Sequence, residues 1–508
     1  MTHLAGQPRG PEVVLDADYV VVGSGAGGAN IAVTLARGGA SVVIVEAGPW
    51  RDPHDYPSSA YGGMRDLFDE WGSTFTRGRA IWPIVQARVV GGTTVINSAI
   101  CVRTPGDVFA RWERERGIPI QPMADAVARH QDALEAELCV EVAPPGAVGR
   151  NNALPLQGAS ILGYESALCR RYVKACVGSG QCLSGCVAAR KQSMNVNFVP
   201  EVLRRGGTVV SNAPVKRVLT EGTRATGVTG WFKHPESRKW GAKFTVRARR
   251  AVVVAASATH SPALLQRSGI RSPALGADFR AHPGTAVFGC YDDVVDLNTG
   301  ATQGWASMAF RDDPGVKLES LAIPAELVAG RLSGGGAQWM ERLRDYRHLA
   351  LWVHATRAES TGTVTNGWGD RPVVRYTLDT ADMARFRAGM VLIARTHFAA
   401  GAKAVLPGIH GLPYRLGPDE LCRMENAPLD PRLYVGILSH LFGGCTMGTN
   451  PANSVCDPWG RVHGWSGLVV ADASTIPSNL GVNPQHTIMA LARIWGERLL
   501  DARSSGIA

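Results

Sequence analysis

The chain has 508 residues, of which 45% are hydrophobic and 19% charged, as in an ordinary soluble globular protein. Its formal net charge is +10, but the basic residues are scattered, so the sequence does not predict a nucleic-acid-binding protein. No apolar run of about 18 residues predicts a membrane-spanning helix, and the N-terminal residues lack the apolar core of a signal peptide. We therefore expect a cytoplasmic protein without a membrane span, long enough for two cores.

The first patterned segment, residues 16–48, predicts a strand, a glycine-rich turn, a helix and a second strand in that order. Residues 19–22 form a β-branched run that is typical of a buried parallel strand. Residues 29–37 predict the helix, and residues 41–45 predict the second strand. This order is typical of a unit that binds the ADP half of FAD or NAD, and the unit alone does not distinguish the two.

Three glycines, Gly23, Gly25 and Gly28, form a G-x-G-x-x-G motif between the first strand and the helix. The first allows the tight turn, the second lets a pyrophosphate approach the backbone, and the third lets helix and strand pack closely. The helix N-terminus offers free N–H groups to the phosphates. Glu46 comes 18 residues after Gly28, where a carboxylate can accept hydrogen bonds from a ribose. The predicted contacts of this unit are Gly23, Ser24, Gly25, Ala26, Gly28, Glu46 and Ala47.

A second glycine pair follows residues 50–86, a long segment rich in Pro, Gly, Tyr and Trp that we expect to pack over the cofactor or a subunit edge. Gly91 and Gly92 precede Thr93 and Thr94, so this turn offers N–H groups and hydroxyls with little bulk. Such a turn suits the close passage of a pyrophosphate or a flat ring. A glycine hinge that leads into a helix is the alternative interpretation.

Four of the ten cysteines fall within 18 residues, at Cys169, Cys176, Cys182 and Cys186. Clustered thiolates suit iron–sulfur or zinc ligation, but the spacing matches neither a paired C-x-x-C zinc site nor the ferredoxin run. Buried thiols that stabilise a loop near the cofactor, or one oxidised pair, are the alternatives. In a cytoplasmic protein we expect thiols or metal ligands rather than disulfides.

The rest of the middle of the chain predicts helices and an extensive sheet. Residues 107–116 and 123–138 have helical patterns, and residues 229–249 alternate around a turn as in a β-meander. Strand-like pieces within residues 280–430 predict a large antiparallel sheet with helices on its back. Further strands are expected at 209–210, 251–255, 285–291, 348–355 and 373–378, and further helices at 260–268 and 380–398.

The C-terminal region, residues 438–499, contains a candidate general base. Histidine suits proton transfer near neutral pH because its ordinary pKa is about 6.5, and His440 lies just before a glycine turn. Residues 468–470 predict a strand that ends at Asp472, and residues 487–500 predict the last helix.

These motifs together resemble the glucose–methanol–choline (GMC) family of flavoprotein oxidoreductases. The resemblance rests on R-x-x-G-G-(S/T)-(S/T)-x-x-N at residues 88–97, H-x-x-G-x-C-x-M-G at residues 440–448 and G-x-N-P-x-x-T at residues 481–487. They follow the first glycine unit in the family order. The resemblance implies an α/β FAD-binding domain, with a Rossmann-like parallel sheet and a β-meander, and an α+β substrate domain built on a large antiparallel sheet.

The resemblance also implies how the chain is divided. The FAD-binding domain would comprise residues 1–105, 195–275 and 431–508. The substrate-binding domain would comprise residues 106–194 and 276–430, including the Cys-rich insert at 169–186. Similar inserts occur in family members that oxidise long-chain alcohols, and in a few dehydrogenases of the family a comparable cluster holds an iron–sulfur centre.

FAD is the implied cofactor. Some family members attach FAD covalently through a histidine next to the motif asparagine, where this chain has Ile96, so we predict non-covalent FAD. The last helix would direct its N-terminus at the flavin ring and stabilise its reduced, anionic form. The implied contacts beyond the first unit are Arg88, Gly91, Gly92, Thr94 and Asn97 along the flavin, Val215 on the adenine side, and Asp472, Ala473, Asn483, Pro484 and Thr487.

The implied function is oxidation of an alcohol to an aldehyde or ketone, with hydride transfer to flavin N5 and electrons passed to oxygen or another acceptor. His440 would be the base and Asn483 would hold the substrate oxygen, whereas His486 is not expected to transfer protons. Two positions depart from the family pattern: Gly444 stands where Thr is usual, and Thr446 where Arg is usual.

Two other functions remain open at this point. One is an electron-transfer dehydrogenase with an iron–sulfur cluster in the Cys-rich insert, and the other is a non-redox lyase or decarboxylase on the same fold. The expected partners are a small-molecule alcohol and oxygen or an electron acceptor, with no nucleic acid and no metal in the reaction itself. The sequence names neither the alcohol nor the oligomeric state.

Overall fold

The computed structural model describes residues 2–6 and 9–504, and this part of the chain folds around two large β-sheets. The strands are β1 (Thr2–Leu4), β2 (Val13–Val22), β3 (Val42–Val45), β4 (Val140–Val142), β5 (Ala167–Leu168), β6 (Arg170–Tyr172), β7 (Thr208–Val210), β8 (Val215–Glu221), β9 (Arg224–Lys233), β10 (Trp240–Val254), β11 (Arg280–Cys290), β12 (Trp305–Ser307), β13 (Val316–Ser320), β14 (Leu349–Thr356), β15 (Thr363–Asn366), β16 (Pro372–Arg375), β17 (Ala404–Leu406), β18 (Ile437–Phe442) and β19 (Leu468–Val470).

The α-helices lie between these strands and after the last of them. They are α1 (Ala26–Arg37), α2 (Ala60–Leu67), α3 (Gly106–Arg116), α4 (Ile120–Glu137), α5 (Pro145–Val148), α6 (Arg150–Ile161), α7 (Phe198–Arg204), α8 (His260–Arg267), α9 (Ala325–Arg331), α10 (Gly336–Arg344), α11 (Thr380–Ala399), α12 (Cys422–Glu425) and α13 (Gln485–Ser504). None of the helices in the described residues has an apolar stretch that could cross a membrane.

The first sheet has the order β1-β7-β3-β2-β10-β9-β8, with β19 beside β10. Strands β1, β7, β3, β2 and β10 pair in parallel in this order, and β19 pairs in parallel with β10. Strands β9 and β8 continue from β10 as an antiparallel meander. Val20 of β2 lies opposite Val43 of β3 and Val252 of β10, and all three side chains are buried. Continuous apolar strands of this kind are typical of a parallel sheet that is covered on both faces. The predicted Rossmann-like sheet with a β-meander is confirmed.

The second sheet has the order β17-β11-β14-β13-β12-β5, with β18 beside β11, and its strands pair antiparallel. Helix α11 packs across β11, β13 and β14, and α6 packs on α11. The predicted large antiparallel sheet with helices on its back is therefore confirmed. The short pairs β15–β16 and β4–β6 lie outside both sheets.

Two segments pack with the sheet of one domain although the sequence assigned them to the other domain. Residues 431–442, grouped by sequence with the FAD-binding domain, contribute β18 to the second sheet. Helices α3 and α4, grouped with the substrate domain, place Trp112, Met123 and Leu134 in the hydrophobic core of the first sheet. The exact domain boundaries remain a prediction.

Helices α1 and α13 begin earlier than the sequence predicted. Helix α1 starts at Ala26 directly after Gly25, which is its N-cap and carries no side chain that could cap it. Helix α13 starts at Gln485, directly after Pro484, so Pro484 stands just outside the helix. Both helix N-termini consequently lie next to glycine-rich or proline-containing turns, and both turns line the cavity described next.

Candidate functional site

A cavity of about 970 Å³ lies between the carboxyl ends of the parallel strands and the second sheet. The first glycine turn, residues 83–100, β11, β18 and the loop before α13 all contribute to its wall. The predicted cofactor contacts that line it are Gly23, Ser24, Gly25, Ala26, Glu46, Ala47, Arg88, Gly92, Thr94, Asn97, Val215, Asp472, Ala473, Asn483 and Pro484. The predicted contacts outside this lining are Gly28, Gly91 and Thr487.

The two glycine turns touch each other at the cavity wall. A Cβ added to Gly92 would lie 2.7 Å from the Cα of Gly25, closer than side-chain carbons come in folded proteins. A Cβ added to Gly28 would lie 2.0 Å from the carbonyl oxygen of Gly23, so this glycine lets helix α1 pack on β2. The glycine motif predicts this packing role for Gly28, which was also predicted to contact the cofactor.

Ser24 joins the two turns to the acidic residue at the end of β3. Its hydroxyl donates to Glu46 Oε2 at 2.6 Å and accepts from the N–H of Gly91 at 2.9 Å. The other oxygen of Glu46 accepts from the N–H of Gly48 at 2.8 Å. Burial raises the pKa of Glu46, and these hydrogen bonds oppose that rise. The carboxylate is thereby fixed at the edge of the cavity, at the position expected for a ribose acceptor.

Arg88 lines the cavity but its guanidinium is already paired. It lies 2.6 Å from Asp69 Oδ1 and 3.1 Å from Glu70 Oε1, and His260 Nε2 lies 2.8 Å from Asp69 Oδ2. Although burial opposes ionisation, Arg88 and His260 hold the pKa of Asp69 well below its ordinary value. Asp69 and Glu70 belong to the segment 50–86, which therefore forms one wall of the cavity.

Two imidazoles stand side by side where β11 and β18 pair. Nδ1 of His282 lies 3.0 Å from Nδ1 of His440, and Nε2 of His282 accepts the backbone N–H of Gly481 at 3.0 Å. Because an N–H can only donate, neutral His282 carries its proton on Nδ1 and donates it to His440. Neutral His440 then carries its own proton on Nε2. Burial lowers the pKa of His440 to about 4 and that of His282 well below 6.5, so both rings are neutral at neutral pH.

Asn483 lies beside this pair and is held by a buried ion pair. Its Nδ2 is 3.5 Å from Nε2 of His440, and its Oδ1 accepts a hydrogen bond from Lys317. Lys317 also lies 2.7 Å from Glu319, and both side chains are at most 4% exposed. Although burial opposes its ionisation, Glu319 has a lowered pKa because of Lys317. The predicted pair His440 and Asn483 is thus brought together.

The sequence did not predict three residues of this site, namely His282, Lys317 and Glu319. Lys317 and Glu319 alternate with apolar residues in Val316–Ser320, so two opposite charges share one face of a strand. Two charged residues at alternate positions of an otherwise apolar strand could have indicated a buried functional pair. His282 carried no signal, because its role comes from the pairing of β11 with β18.

Beyond the imidazoles the cavity wall turns apolar. This part of the wall is formed by the inner face of the second sheet and by the region of α9. Its apolar lining residues are Ala286, Phe288, Leu321, Ile323, Pro324, Leu327, Leu351 and Val353. These residues could not be predicted from the sequence, because residues 280–430 contain no recognisable motif.

The Cys-rich insert lies behind the second glycine turn. Lys191 donates to the carbonyl oxygens of Val95 and Asn97 at 2.5 and 2.8 Å, and Arg171 Nη2 donates to Cys182 Sγ at 3.2 Å. Although burial raises it, the pKa of the Cys182 thiol is lowered overall by Arg171 and Lys191. Among the described residues, no three insert cysteines bring their sulfur atoms within 4.8 Å of one another. Lys191, which lies just after the insert, thus connects the carbonyl of Cys182 to the turn that lines the cavity. The alternatives for the insert cysteines stay predictions.

Two predicted contacts near the C-terminus make hydrogen bonds within the protein. Asp472 accepts the N–H groups of Ser257 and Ser474, each within 2.9 Å, and Thr487 shares a 2.7 Å hydrogen bond with Thr104. Asp472 lines the cavity, while Thr487 does not.

Two residues after His440, Gly444 and Thr446, depart from the family motif, and the backbone explains the first of them. Gly444 adopts φ +92°, a conformation that favours glycine and strains a β-branched residue such as Thr. Thr446 is buried and its carbonyl accepts the N–H of Val455 at 2.8 Å, and nothing in the structure explains the change from Arg.

A dinucleotide unit and an imidazole–amide pair that line the same cavity are typical of a nucleotide-dependent oxidoreductase. The family model for GMC oxidoreductases matches residues 18–284 and, in its C-terminal part, residues 358–492. The chain therefore belongs to the GMC oxidoreductase family and is a flavin-dependent oxidoreductase.

Several relatives agree with this assignment. An uncharacterized GMC-type oxidoreductase of Mycobacterium tuberculosis (strain H37Rv) is 36% identical over 94% of this chain and 75% of its own length. A long-chain-alcohol oxidase of Arabidopsis thaliana is 25% identical over 96% of this chain and 67% of its own length.

Solved structures share the fold at low identity. Pyridoxine 4-oxidase from Mesorbium loti superposes with a TM-score of 0.70 at 17% identity, covering 95% of this chain and 98% of that one. A formate oxidase variant of Aspergillus oryzae RIB40 gives 0.72 at 18% identity, covering 98% of this chain and 100% of that one.

Proposed function

We propose that this enzyme oxidises a CH–OH group to an aldehyde or ketone, with non-covalently bound FAD. The observation that carries the proposal is the placement of the His440–Asn483 pair in the same cavity as both glycine turns. FAD, when bound, takes up the hydride that leaves the carbinol carbon. The remaining chemistry is movement of the hydroxyl proton, and the protein's own side chains provide it.

The residues at the glycine turns fit FAD. A Cβ on Gly25 would find its nearest neighbour only at 3.8 Å, so this backbone is open to close approach by a pyrophosphate. Helix α1 has no side chain capping its N-terminus, which leaves its N–H groups free for phosphate oxygens. Ile96 offers no atom for a covalent bond at the position where some family members carry histidine.

Nε2 of His440 would first donate a hydrogen bond to the substrate oxygen and would then accept the hydroxyl proton. In the neutral pair, Nε2–H of His440 can donate to the alcohol oxygen. To accept the hydroxyl proton at Nε2, His440 must instead donate from Nδ1 to His282, and His282 must give up the Gly481 N–H. The 3.5 Å contact with Asn483 Nδ2 favours this second arrangement, because an amide N–H needs an acceptor. We propose that the base step is coupled to this proton shift.

Glu319 is the second candidate for the proton acceptor. It lines the cavity, and its lowered pKa keeps it ionised at neutral pH. Lys317 stabilises that charge, which also weakens Glu319 as a base. We therefore rank His440 first.

Two variants distinguish the acceptors. If His440 is the base, His440→Ala should slow anaerobic flavin reduction by an alcohol roughly 10²–10⁴-fold. Glu319→Gln should then slow it much less, and both proteins should retain the flavin absorbance of the parent. A larger effect of Glu319→Gln would assign the base role to Glu319. Normal turnover by a flavin-loaded His440→Ala protein would overturn the proposal.

The apolar wall supports a hydrophobic alcohol as the substrate, and the long-chain-alcohol oxidase among the relatives is consistent with this. Each buried CH₂ contributes about 0.8 kcal/mol, so kcat/KM should rise up to about fourfold per methylene along a series of primary alcohols. Ile323→Ser should flatten this rise, whereas Val294→Ser, on an exposed loop, should not. A flat series in the parent enzyme would contradict a hydrophobic substrate and leave the flavin chemistry intact.

A further inference from the structure

We propose a metal-ion site, for a divalent cation of the zinc type, formed by Cys101, Glu135 and His486. The sulfur, carboxylate oxygen and imidazole nitrogen of these residues all lie within 4.8 Å of one another. Nε2 of His486 is 3.4 Å from Oε1 of Glu135. The three residues come from separate parts of the chain: the end of the second glycine segment, α4 and the first turn of α13.

A second observation points to a missing partner at this place. The His486 side chain is fully buried, yet neither ring nitrogen makes a well-aligned hydrogen bond with any described residue. The Tyr172 ring packs edge-on against His486 at 5.8 Å, and its buried hydroxyl interacts with Cys101. Buried polar groups are nearly always paired, and unpaired ones indicate an absent ion or water.

The donor set selects the kind of ion. Zinc binds thiolate, imidazole and carboxylate together, in a tetrahedral arrangement whose fourth position a water can take. Magnesium and calcium prefer oxygen ligands alone, so a thiol and an imidazole disfavour both. Glu135 is only partly buried, which leaves a route from solvent to the site.

Two guanidinium groups limit how tightly the ion can bind. Arg103 Nε donates to Glu135 Oε1 at 2.8 Å, and Arg170 Nη2 donates to Oε2 at 2.6 Å. Each oxygen retains a lone pair for a metal, and both arginine side chains are about half exposed to solvent. Their charges repel a dication, so the thiolate bond to Cys101 must supply most of the affinity.

A bound ion would stabilise the cavity wall from behind. Asn97 Nδ2 donates to Gln485 Oε1 at 2.5 Å, and both residues line the cavity. Cys101 follows Asn97 and His486 follows Gln485 closely in the chain. An ion bound by Cys101 and His486 would therefore connect the segment after the second glycine turn to the start of α13. The site is separate from the four insert cysteines and does not depend on the proposed reaction.

The test is metal binding by the flavin-loaded enzyme. We expect about one Zn²⁺ per chain after incubation with the metal and dialysis, and a Co²⁺-substituted protein with a thiolate-to-cobalt charge-transfer band. Cys101→Ser and His486→Gln should each lower the retained metal at least tenfold and remove the band. Cys290→Ser, which removes a thiol of β11 far along the chain from Cys101, should change neither the retained metal nor the charge-transfer band.

Other results would overturn the proposal. If the folded parent enzyme retains no Zn²⁺ and shows no cobalt–thiolate band, the site does not exist. Metal that persists in Cys101→Ser but is lost in Cys182→Ser, or in a variant of the exposed Asp52, His54 and Asp55 cluster, would place the ion elsewhere. Should Cys101→Ser fail to fold, His486→Gln decides the question, because loss of the parent's cobalt–thiolate band in that variant supports the site and an unchanged band overturns it.

Discussion

Lys317 illustrates how one buried charge can serve two polar partners. It holds the amide oxygen of Asn483 and neutralises Glu319, and none of the three is more than 7% exposed. Removing one member of a buried ion pair typically costs about 3–5 kcal/mol, because the other charge is left unpaired. The same change would free Asn483 to rotate away from His440.

We therefore predict that Lys317→Met lowers both the thermal midpoint and kcat, the latter at least tenfold. Lys317→Met combined with Glu319→Gln should recover most of the stability but not kcat, because Asn483 remains unsupported. Lys174→Met, on an exposed lysine, is the matched control. Full recovery of kcat in the double variant would show that Asn483 does not need Lys317.

The pKa of His440 predicts the pH dependence of the reaction. Burial lowers this pKa to about 4, so the ring is neutral and able to accept a proton throughout the range above pH 5. We expect kcat/KM to fall only as the pH drops toward 4, with no histidine step near pH 6.5. An inflection near pH 6.5 that disappears in His440→Asn would contradict the lowered pKa.

At the scale of elements, we propose that FAD binding requires the close contact between the two glycine turns. An alanine at position 92 would place its Cβ 2.7 Å from the Cα of Gly25, and φ there is +56°. Gly39→Ala is the matched control, since it also has positive φ, +73°, but its Cβ would meet nothing within 4 Å. The strain from φ alone is about 1 kcal/mol.

We predict that Gly92→Ala loses most bound FAD, because the turns must separate, while Gly39→Ala is slightly destabilised and keeps its FAD. The measurement is the ratio of flavin to protein absorbance after gel filtration. Equal ratios in the two variants would show that the contact between the turns is not needed for cofactor binding.

The elements that sequence could predict are those with strong local patterns. The strand–turn–helix–strand unit, α3, α4 and α11 follow directly from hydrophobic periodicity and glycine spacing. The starts of α1 and α13 were predicted three and two residues late, because Gly27 and Gly28 in α1, and Gln485 and His486 in α13, were assigned to the preceding turns. Long-range pairings, such as β11 with β18, leave no local pattern and could not be predicted.

The same distinction applies to the site. His440 and Asn483 could be identified because each lies in a short motif, whereas His282 and Lys317 reach them only through strand pairing. Arg88 was predicted to face the flavin, but its charge is shared with Asp69 and Glu70, residues of a segment without periodicity. Pairing across the chain, and not residue type, determines these roles.

The described part of the chain contains six buried or half-buried histidines whose pKa values are lowered by burial. The lowered values are about 3 for His354 and His397 and about 4 for His440 and His486. The pKa of His282 lies well below 6.5, and that of His130 is also lowered. In the unfolded chain these groups titrate near 6.5. Between pH 6.5 and about 4 the unfolded state therefore binds more protons than the folded state, and stability falls as the pH falls.

We predict a steep loss of stability on acidification, with each such group contributing about 1.4 kcal/mol per pH unit within its window. The measurement is the denaturant midpoint at pH 7, 6 and 5. His397→Gln, which removes one buried imidazole, should reduce the slope, whereas His54→Gln, on an exposed histidine, should not. A midpoint that stays constant from pH 7 to 5 would contradict neutral buried imidazoles.

The proposed base and the proposed substrate contacts lie on different elements around the cavity. His440 and His282 occupy the paired strands β18 and β11, whereas Ile323, Leu327 and Val353 belong to the apolar part of the wall. Laboratory evolution confined to the latter three positions should retune which alcohols are accepted without disturbing proton movement. Such a library would separate substrate preference from catalytic rate in a single screen.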